Sequence, residues 1–351
     1  MNIYERVLRP LLFKVSADEA HAVAQLVLRA PVIWRLISAH SRVADPRLEV
    51  DLAGVRLANP IGMAPGFVKE GPVLESIARL GFGYVTVGSF TPAARAGNPL
   101  PRLVRYPERE AVANSMSMPN RGLAAAVNDL KLTGNLGCPV IASVAGFSAE
   151  ELLQSARQIE PYVAAVEIGL VCPNTTETER MEELRIFSRL AEGLAQSIRK
   201  PVFVKLPQPD PPQERSRLYA VLDECLRTGL QGVSVSGTRR HVEPRLAMGR
   251  GSIAGRPIFA DSLRVVADVA ERSGGRVAIK GAGGVFSGAD AVRMLESGAT
   301  VVEVYSSFIF RGWEVAASIN RELLQILRER GTTAHALTAR ALQPLQKTTS
   351  S

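Results

Sequence analysis

The strongest constraint on the fold is a regular alternation between short, continuously apolar segments and longer amphipathic segments, running from about residue 60 to residue 330. Continuously apolar segments are typical of buried parallel strands, and the amphipathic segments between them predict covering helices. Eight such strands, most followed by a helix, predict an α/β fold of the (β/α)8 TIM-barrel type. The predicted strands are Pro60–Ala64, Tyr84–Ser89, Pro139–Ala145, Ala164–Val171, Pro201–Leu206, Gly232–Ser236, Arg276–Gly281 and Val301–Ser306.

The chain outside this alternation predicts three parts: a helical extension over residues 1–45, the barrel over residues 46–331, and a C-terminal tail over residues 332–351. Arg47–Asn59 alternates around Ala-Gly and predicts a β-hairpin. Arg102–Ala113 alternates within a long insertion after the second strand and predicts a small sheet. The extension either packs on the barrel as a helical pair or offers an apolar face to a membrane or a hydrophobic ligand.

The composition limits the possible functions. The formal net charge of +8 is scattered along the chain, which favours a soluble basic surface, with an anionic partner as the alternative. Only 5% of residues are aromatic and no nucleic-acid motif is present, so we expect no nucleic-acid partner. The three cysteines and four histidines have no metal-ligand spacing, which predicts no metal site and reduced thiols. We expect a cytoplasmic protein, with residues 1–45 as the segment for peripheral contact with the inner membrane face.

The ends of the last two predicted strands suit a phosphate group. The seventh ends in GAGG (Gly281–Gly284), whose backbone N–H groups are unobstructed by side chains, and the eighth is followed by Ser306 and Ser307. Barrels frequently bind phosphate at these two strands. Lys69 and Lys205 follow the first and fifth strands, where they either stabilise negative charge on a ligand or are surface lysines.

The fourth strand ends in a Cys-Pro-Asn-Thr turn that places Cys172 and Asn174 at the mouth of the predicted barrel. A thiol with a pKa near 8.5 can accept a proton, and an amide can hold a polar substrate. The alternative for Cys172 is a small buried apolar residue.

Three charged residues, Glu167, Lys280 and Glu303, interrupt otherwise apolar strands. Because isolated buried charges are costly, we predict that Lys280 pairs with at least one of the two carboxylates inside the barrel.

Several longer segments are more specific than any single turn. They are NPIGMAPGFVKEG (Asn59–Gly71), LGFGYVTVGSFTP (Leu80–Pro92), GNPLPRLVR (Gly97–Arg105), the Asn114–Gly122 loop, CPNT, PVFVKL, AGRP (Ala254–Pro257), GAGGVFSGADA and GATVVEVYSSFIFRG. Together they resemble the dihydroorotate dehydrogenase family in its membrane-associated, quinone-reducing class, from the N-terminus to about residue 330. The resemblance implies FMN on the top face of the barrel and oxidation of a CH–CH bond beside a carbonyl or amide. It further implies that the hydride goes to flavin N5 and the proton to a base, and that the N-terminal helices form a tunnel for a quinone.

The resemblance also assigns roles to individual residues. Cys172 takes the position of the catalytic base, and Lys69 is the second catalytic residue. FMN is expected at Pro65, Gly66, Lys69, Ser89, Ser143, Lys205, Ser236, Gly255, Gly283, Gly284, Tyr305 and Ser306. A small substrate carrying a saturated amide or a carboxylate is expected at Lys69, Asn114, Ser117, Met118, Gly169, Asn174, Gly237 and Thr238.

The sequence departs from the family pattern where the substrate is held. Gly169 and Gly237 stand where the family has asparagine. Each lost amide leaves roughly 1–3 kcal/mol of substrate hydrogen bonding unmade, so we expect a divergent paralogue with a different, bulkier substrate. Cys172 departs in another way, because the quinone class uses serine there and the soluble class uses cysteine.

Other interpretations remain open at this point. One is a genuine dihydroorotate dehydrogenase that makes orotate, another is an FMN-binding module without turnover, and a third is a barrel that has lost the flavin. Arg239, Arg240 and His241 either hold an anion near the mouth of the barrel or are plain surface charge.

Overall fold

The computed structural model describes residues 2–38, 41–170, 177–207, 209 and 214–341. The strands are β1 (Val50–Leu52), β2 (Val55–Leu57), β3 (Ile61–Met63), β4 (Tyr84–Phe90), β5 (Leu103–Tyr106), β6 (Ala111–Asn114), β7 (Val140–Gly146), β8 (Ala165–Leu170), β9 (Val202–Lys205), β10 (Gly232–Ser234), β11 (Arg239–Val242), β12 (Arg250–Gly255), β13 (Ala278–Ala282) and β14 (Val301–Val304). The helices are α1 (Arg9–Leu12), α2 (Ala17–Leu28), α3 (Pro31–Ile37), α4 (Gly71–Ala78), α5 (Leu123–Thr133), α6 (Ala149–Ile159), α7 (Glu177–Ser197), α8 (Ser216–Thr228), α9 (Phe259–Ser273), α10 (Gly288–Glu296), α11 (Ser306–Arg311), α12 (Val315–Glu329) and α13 (Ala334–Ala341).

Within the described residues, eight parallel strands close into a barrel in the order β3, β4, β7, β8, β9, β10, β13 and β14. This order follows the chain, and a helix lies between each consecutive pair, so the predicted (β/α)8 fold is confirmed. Sequence periodicity explains how the helices cover the strands. In α12, for example, Val315, Ile319, Leu323 and Leu327 recur every four residues and are all buried.

Two glycines make room for aromatic rings inside the barrel. Gly62 is the register partner of Tyr84 on the neighbouring strand, and a Cβ at Gly62 would lie 2.2 Å from that ring. Gly232 is likewise opposite Phe203, and a Cβ there would lie 2.1 Å from the ring. Pairing a glycine with a large ring on adjacent strands fills the barrel interior at close packing.

The predicted pairing of Lys280 is confirmed inside the barrel. Its Nζ lies 2.7 Å from Glu167 Oε2 and 2.8 Å from Glu303 Oε1. All three side chains are buried, so the three charges depend on one another and on neighbouring hydroxyl groups for their solvation.

Two smaller sheets lie outside the barrel. The predicted hairpin is present, because β1 and β2 pair antiparallel. The alternating stretch in the insertion forms β5 and β6, and these join β11 and β12 in a four-stranded antiparallel sheet. The last two strands were not predicted. They follow the sixth barrel strand, and β12 finds its partner, β6, in a distant insertion.

The N-terminal helices pack against the top of the barrel. Ser16 and Glu19 form a capping box that begins α2. Gln25 Nε2 donates a hydrogen bond to the Phe67 carbonyl (3.0 Å), and the buried ring of Trp34 makes an edge contact with Trp313. Among the described helices, none is by itself long and apolar enough to cross a membrane. Helices α2 and α3 together have sufficient length and composition, but they meet at a bend of 83°.

The C-terminal segment was predicted as a tail, and its first part instead forms α13. Leu337 is buried against the core, and Thr338 Oγ1 donates a hydrogen bond to the Ala299 carbonyl (2.6 Å). The pattern did not indicate this helix because its apolar residues are mostly alanine, which gives a weak amphipathic signal.

Candidate functional site

A cavity of about 580 Å³ lies between the carboxyl ends of the barrel strands and the N-terminal helices. Its floor includes Lys205 and Glu303 from β9 and β14. The small sheet contributes one wall, and Ala20, His21 and Ala24 of α2 contribute the side away from the barrel. One continuous space therefore joins the mouth of the barrel to the helical extension.

Most residues that we expected to contact the cofactor lie around this cavity. They are Pro65, Gly66, Lys69, Ser89, Lys205, Gly255, Gly283, Gly284, Tyr305 and Ser306. Ser143 is fully buried beside the cavity wall, where its hydroxyl lies 2.8 Å from that of Ser89. Ser236 lies next to Thr238, with their hydroxyls 3.4 Å apart, and Thr238 lines the cavity.

The glycine-rich turn after β13 forms a bare backbone surface. Gly283 and Gly284 have φ angles of +117° and +72°, in the region that favours glycine. A Cβ at Gly283 would lie 2.1 Å from Ser262 Oγ, so a side chain cannot be added there without displacing its neighbours. Ser307 also lines the cavity, and its hydroxyl is buried without a hydrogen-bond partner in the described part of the chain. Such a group normally has a partner, which here a bound phosphate oxygen would supply.

Lys69 lies in the wall of the cavity. Its Nζ donates a hydrogen bond to the Pro119 carbonyl (2.6 Å), and no carboxylate among the described residues forms an ion pair with it. Burial, together with the nearby positive charge of Arg102, lowers the pKa of Lys69 to about 8. The ammonium is therefore charged at neutral pH but poorly solvated, which favours binding of an anionic ligand.

The loop that follows β6 covers this part of the cavity. Asn114, Ser117 and Met118, which we expected to contact a substrate, all line the cavity. Ser117 and Met118 both have φ of +54°, a conformation that costs non-glycine residues free energy. Asn120 Nδ2 holds the loop by donating a hydrogen bond to the Met118 carbonyl (2.9 Å). The loop is thus fixed over the cavity in a strained conformation.

The two glycines expected at the substrate site differ in their surroundings, because Gly237 lines the cavity and Gly169 does not. A Cβ at Gly169 would make ordinary contacts, 3.4 Å from the Val144 carbonyl oxygen and 3.9 Å from Ser89 Oγ. A Cβ at Gly237 would lie only 2.9 Å from the Gly283 nitrogen. An asparagine would therefore fit at position 169 but not at position 237 in this backbone.

The expected base, Cys172, and the expected substrate amide, Asn174, lie outside the described residues. The fourth barrel strand is described up to Leu170. Burial raises the pKa of the two remaining thiols, Cys138 and Cys225, to about 12, and neither lines the cavity. These two cysteines are therefore unsuited to accept a proton from a ligand there.

The basic segment after the sixth barrel strand forms part of the small sheet. Arg239 pairs with Asp261 (2.7 Å), and His241 Nε2 lies 3.0 Å from the hydroxyl of Tyr106. Neither these two residues nor Arg240 belongs to the cavity wall. Their positions favour the surface-charge interpretation over an anion-binding role.

Two polar residues near the helical side of the cavity were missed. His21 lies on α2, edge-on to the ring of Phe67, and burial lowers its pKa to about 4. Arg105 lies on β5, donates to the carbonyls of Leu12 and Val15, and stacks on the ring of Phe13. The sequence did contain a signal for both residues, because each is a polar residue on an otherwise apolar face of its helix or strand.

The comparisons with known proteins agree with one another. The family model for dihydroorotate dehydrogenase matches residues 47–327. The chain belongs to the dihydroorotate dehydrogenase family. The chain is therefore an oxidoreductase of a family whose enzymes use FMN and act on CH–CH bonds.

Individual relatives extend this similarity to nearly the whole chain. The chain is 34% identical to the dihydroorotate dehydrogenase (quinone) of Deinococcus deserti, over 94% of this chain and 97% of that protein. It is 31% identical to the dihydroorotate dehydrogenase (quinone) of Chloroflexus aurantiacus, over 92% of this chain and 96% of that protein. The ligand-free dihydroorotate dehydrogenase structure from Eimeria tenella superposes with a TM-score of 0.75 at 26% identity, covering 90% of this chain and 99% of that one. The resemblance to the family is thus confirmed in both sequence and fold.

Proposed function

We propose that this protein is an FMN-dependent dehydrogenase that oxidises a CH–CH bond beside a carbonyl or amide, on a substrate other than dihydroorotate. One cavity brings together the glycine-rich turn after β13, Lys69 and the loop that begins at Asn114, and this observation carries the proposal. Family membership supports the reaction class, and the glycines at positions 169 and 237 support the change of substrate.

The residues around the cavity fit FMN. The backbone of Gly283 and Gly284, together with Ser306 and Ser307, would hold the phosphate, because these groups offer donors and leave space for it. Lys205 would contribute a positive charge at the floor of the cavity. Bound FMN supplies the acceptor for the hydride that leaves the substrate carbon.

The chain's own residues would position the substrate and move the proton. Lys69, charged at neutral pH, would hold a carboxylate or an electron-rich carbonyl, and Asn114 would bond to a ring amide. Cys172 Sγ would accept the proton from the carbon next to the one that loses the hydride. The strained loop at Ser117 and Met118 would close over the bound ring and exclude water.

Dihydroorotate is the alternative substrate. The names of the relatives favour dihydroorotate. Against it, Gly169 and Gly237 supply no side-chain amides, so two of the family's substrate hydrogen bonds have no donor from these positions. A ring with fewer polar groups suits such a site better, because it needs fewer hydrogen bonds from these two positions.

A quinone is the proposed electron acceptor. The cavity continues from the barrel mouth to apolar residues of the N-terminal helices, including Leu8, Leu12 and Val27. Such a path would let a quinone ring reach the flavin while its chain stays among apolar side chains. The same helices would bring the protein to the membrane in which the quinone is dissolved.

Two measurements on the purified holoprotein test the proposal. The visible absorbance of oxidised flavin should be present, and its absence would contradict cofactor binding. Anaerobic mixing with dihydroorotate and with a panel of saturated cyclic amides and amino-acid derivatives should then bleach the flavin rapidly with a panel compound. Rapid bleaching by dihydroorotate would overturn the substrate proposal in favour of the alternative. Flavin that no compound bleaches would favour a binding module without turnover.

The role of Cys172 has its own test. A Cys172→Ala variant should bind flavin normally but reduce it at least 100-fold more slowly, since a positioned base contributes about 10²–10⁴-fold. Reduction as fast as in the parent protein would remove the base assignment.

A further inference from the structure

Three charged side chains form a buried cluster under the cavity, and the proposed reaction does not use them directly. The charge cluster consists of Glu167, Lys280 and Glu303, with the lysine between the two carboxylates. Ser234 Oγ donates to Glu167 (2.6 Å), and Thr86 Oγ1 donates to Glu303 (2.9 Å). Burying three charges is costly, so a purely structural core would be better served by apolar side chains.

The charge cluster reaches the cavity floor through Glu303. Glu303 and Ser234 line the cavity together with Lys205. In the barrel register, Ser234 is the partner of both Lys205 on β9 and Lys280 on β13. The two lysines therefore lie on strands either side of β10, with Lys205 on the cavity side.

Glu167 interacts with both lysines. Burial raises its pKa, but the charges of Lys280 and Lys205 outweigh burial and hold the pKa well below its usual range. Its Oε2 bonds to Lys280, whereas Oε1 has no hydrogen-bond partner among the described atoms. By contrast, burial raises the pKa of Glu303. Glu167 accepts hydrogen bonds from both Lys280 and Ser234, so its negative charge is stabilised and partly offsets the positive charge of Lys205 at the cavity floor.

We propose that Glu167 and Lys280 are positioning residues that fix the net charge beneath the cavity and, through Lys205, set the reduction potential of the bound flavin. This inference rests on the proposed function, because it requires flavin above Lys205. Two-electron reduction adds negative charge to the flavin, so a more positive floor favours the reduced state. Inside a protein such effects extend over several ångströms because the effective dielectric constant is low.

The test is the midpoint potential of the flavin in the purified holoprotein and in three variants. Glu167→Gln removes a negative charge, leaves Lys280 paired with Glu303, and should favour reduction on the order of tenfold, about 30 mV for a two-electron couple. Lys280→Met removes a positive charge and should shift the potential by a similar amount in the opposite direction.

The double variant Glu167→Gln/Lys280→Met removes one charge of each sign. Its midpoint potential should be close to that of the parent protein. Because replacement of a buried ion pair by neutral side chains is often tolerated, the double variant also keeps the proposal testable if Lys280→Met alone does not fold. Asp223→Asn is the matched control, because it removes one negative charge from an outer helix, where Asp223 pairs with Arg272. This variant should have the midpoint potential of the parent protein.

Each outcome decides between the possibilities. Opposite shifts in the two single variants, cancelled in the double variant, would support the inference. Folded, flavin-loaded Glu167→Gln with the parent potential, or shifts of the same sign in both single variants, would overturn it while leaving the proposed function intact. A parent protein that purifies without flavin would overturn the proposed function, and this inference with it.

Discussion

Gly169 and Gly237 leave different amounts of room for a side chain, and this difference yields the sharpest substrate test. Because a Cβ at position 169 meets only ordinary contacts, Gly169→Asn should fold and keep its flavin. The restored amide should raise kcat/KM for dihydroorotate roughly tenfold, since a substrate hydrogen bond contributes about 1–3 kcal/mol. Steady-state kinetics with dihydroorotate, compared with the preferred panel compound, measures this gain.

The matched variant is Gly237→Asn. A Cβ there would lie 2.9 Å from the Gly283 nitrogen, so the backbone of the glycine-rich turn after β13 must shift. We expect a loss of stability of about 1–3 kcal/mol and weakened flavin retention, with no gain on dihydroorotate. If Gly169→Asn and Gly237→Asn have the same unfolding temperature and the same flavin content, the inferred difference in room at the two positions is wrong.

Lys69 makes binding of an anionic substrate depend on pH. Burial lowers its pKa to about 8, so the ammonium is charged below that pH and loses its proton above it. Affinity for an anionic substrate should therefore be nearly constant from pH 6 to 7.5 and fall by up to tenfold per pH unit above about 8. The bound anion raises the pKa of Lys69 in the complex, and the affinity should level off above that higher pKa. The substrate concentration dependence of flavin reduction, measured from pH 6 to 10, gives the affinity.

Lys69→Met is the control for this pH dependence. It should bind the same substrate roughly tenfold more weakly at pH 7, because a charge-assisted hydrogen bond is lost. It should also show a flat profile across pH 8. An unchanged decline of affinity in Lys69→Met would assign the titration to another group.

Among the elements, those whose signal is local were predicted well and those that depend on distant partners were not. Each barrel strand is a predominantly apolar run that can be recognised without its neighbours, such as Ile61–Met63. Strands β11 and β12 are short, and β11 is largely exposed. They become strands because β6, supplied by an insertion far back in the chain, pairs with β12. Whether such a segment forms a strand is decided by tertiary contacts, and intrinsic strand propensity carries no information about them.

Helix α2 gives an element-scale prediction about the electron acceptor. Ala24 lines the cavity, so Ala24→Phe would narrow the path between the helices and the barrel mouth. We expect the rate with a short-chain ubiquinone to fall at least several-fold, because the added ring fills space that the quinone would occupy. Anaerobic reduction of the flavin by substrate should stay unchanged, since Ala24 lies on the far side of the cavity. Stopped-flow measurement of the two half-reactions separates these effects.

Ala22→Phe provides the matched control on the same helix. Ala22 is exposed and does not line the cavity, so the same added ring should leave both half-reactions unchanged. An equal loss of quinone rate in both variants would indicate damage to α2 rather than a blocked path.

For the whole molecule, the sequence predicted which strand ends meet but not what closes the space above them. Lys69, Lys205 and the turn at Gly283 were expected at one mouth because parallel strands bring their carboxyl ends together. The position of α2, which carries His21, could not be predicted from its periodicity. An amphipathic pattern shows that a helix packs on the protein but not which surface it packs against. Cys172 lies outside the described residues, so its role remains a prediction from the sequence.

The exposed face of the N-terminal helices leads to the last prediction, which concerns how the molecule meets a membrane. Leu26 and Leu36 are 66% and 80% exposed on helices that also border the cavity. Their neighbours Arg29 and Arg35 pair with Glu70 and Glu75, which partly neutralises their charge. Apolar burial should therefore contribute more to membrane binding than electrostatic attraction does. We expect cosedimentation with phospholipid vesicles that depends only weakly on salt.

A double variant, Leu26→Ser/Leu36→Ser, should lose at least tenfold in vesicle affinity, because each leucine contributes about 1.5–3 kcal/mol when fully buried in an apolar phase. Leu132 is 78% exposed but lies on α5, away from the helical extension, so Leu132→Ser is the matched control and should bind as the parent does. If the control loses as much affinity as the double variant, binding is unspecific and the N-terminal face is not the docking surface. If the double variant alone loses binding and also slows quinone reduction in vesicles, but not flavin reduction by substrate, the same helices serve both the membrane and the path to the flavin.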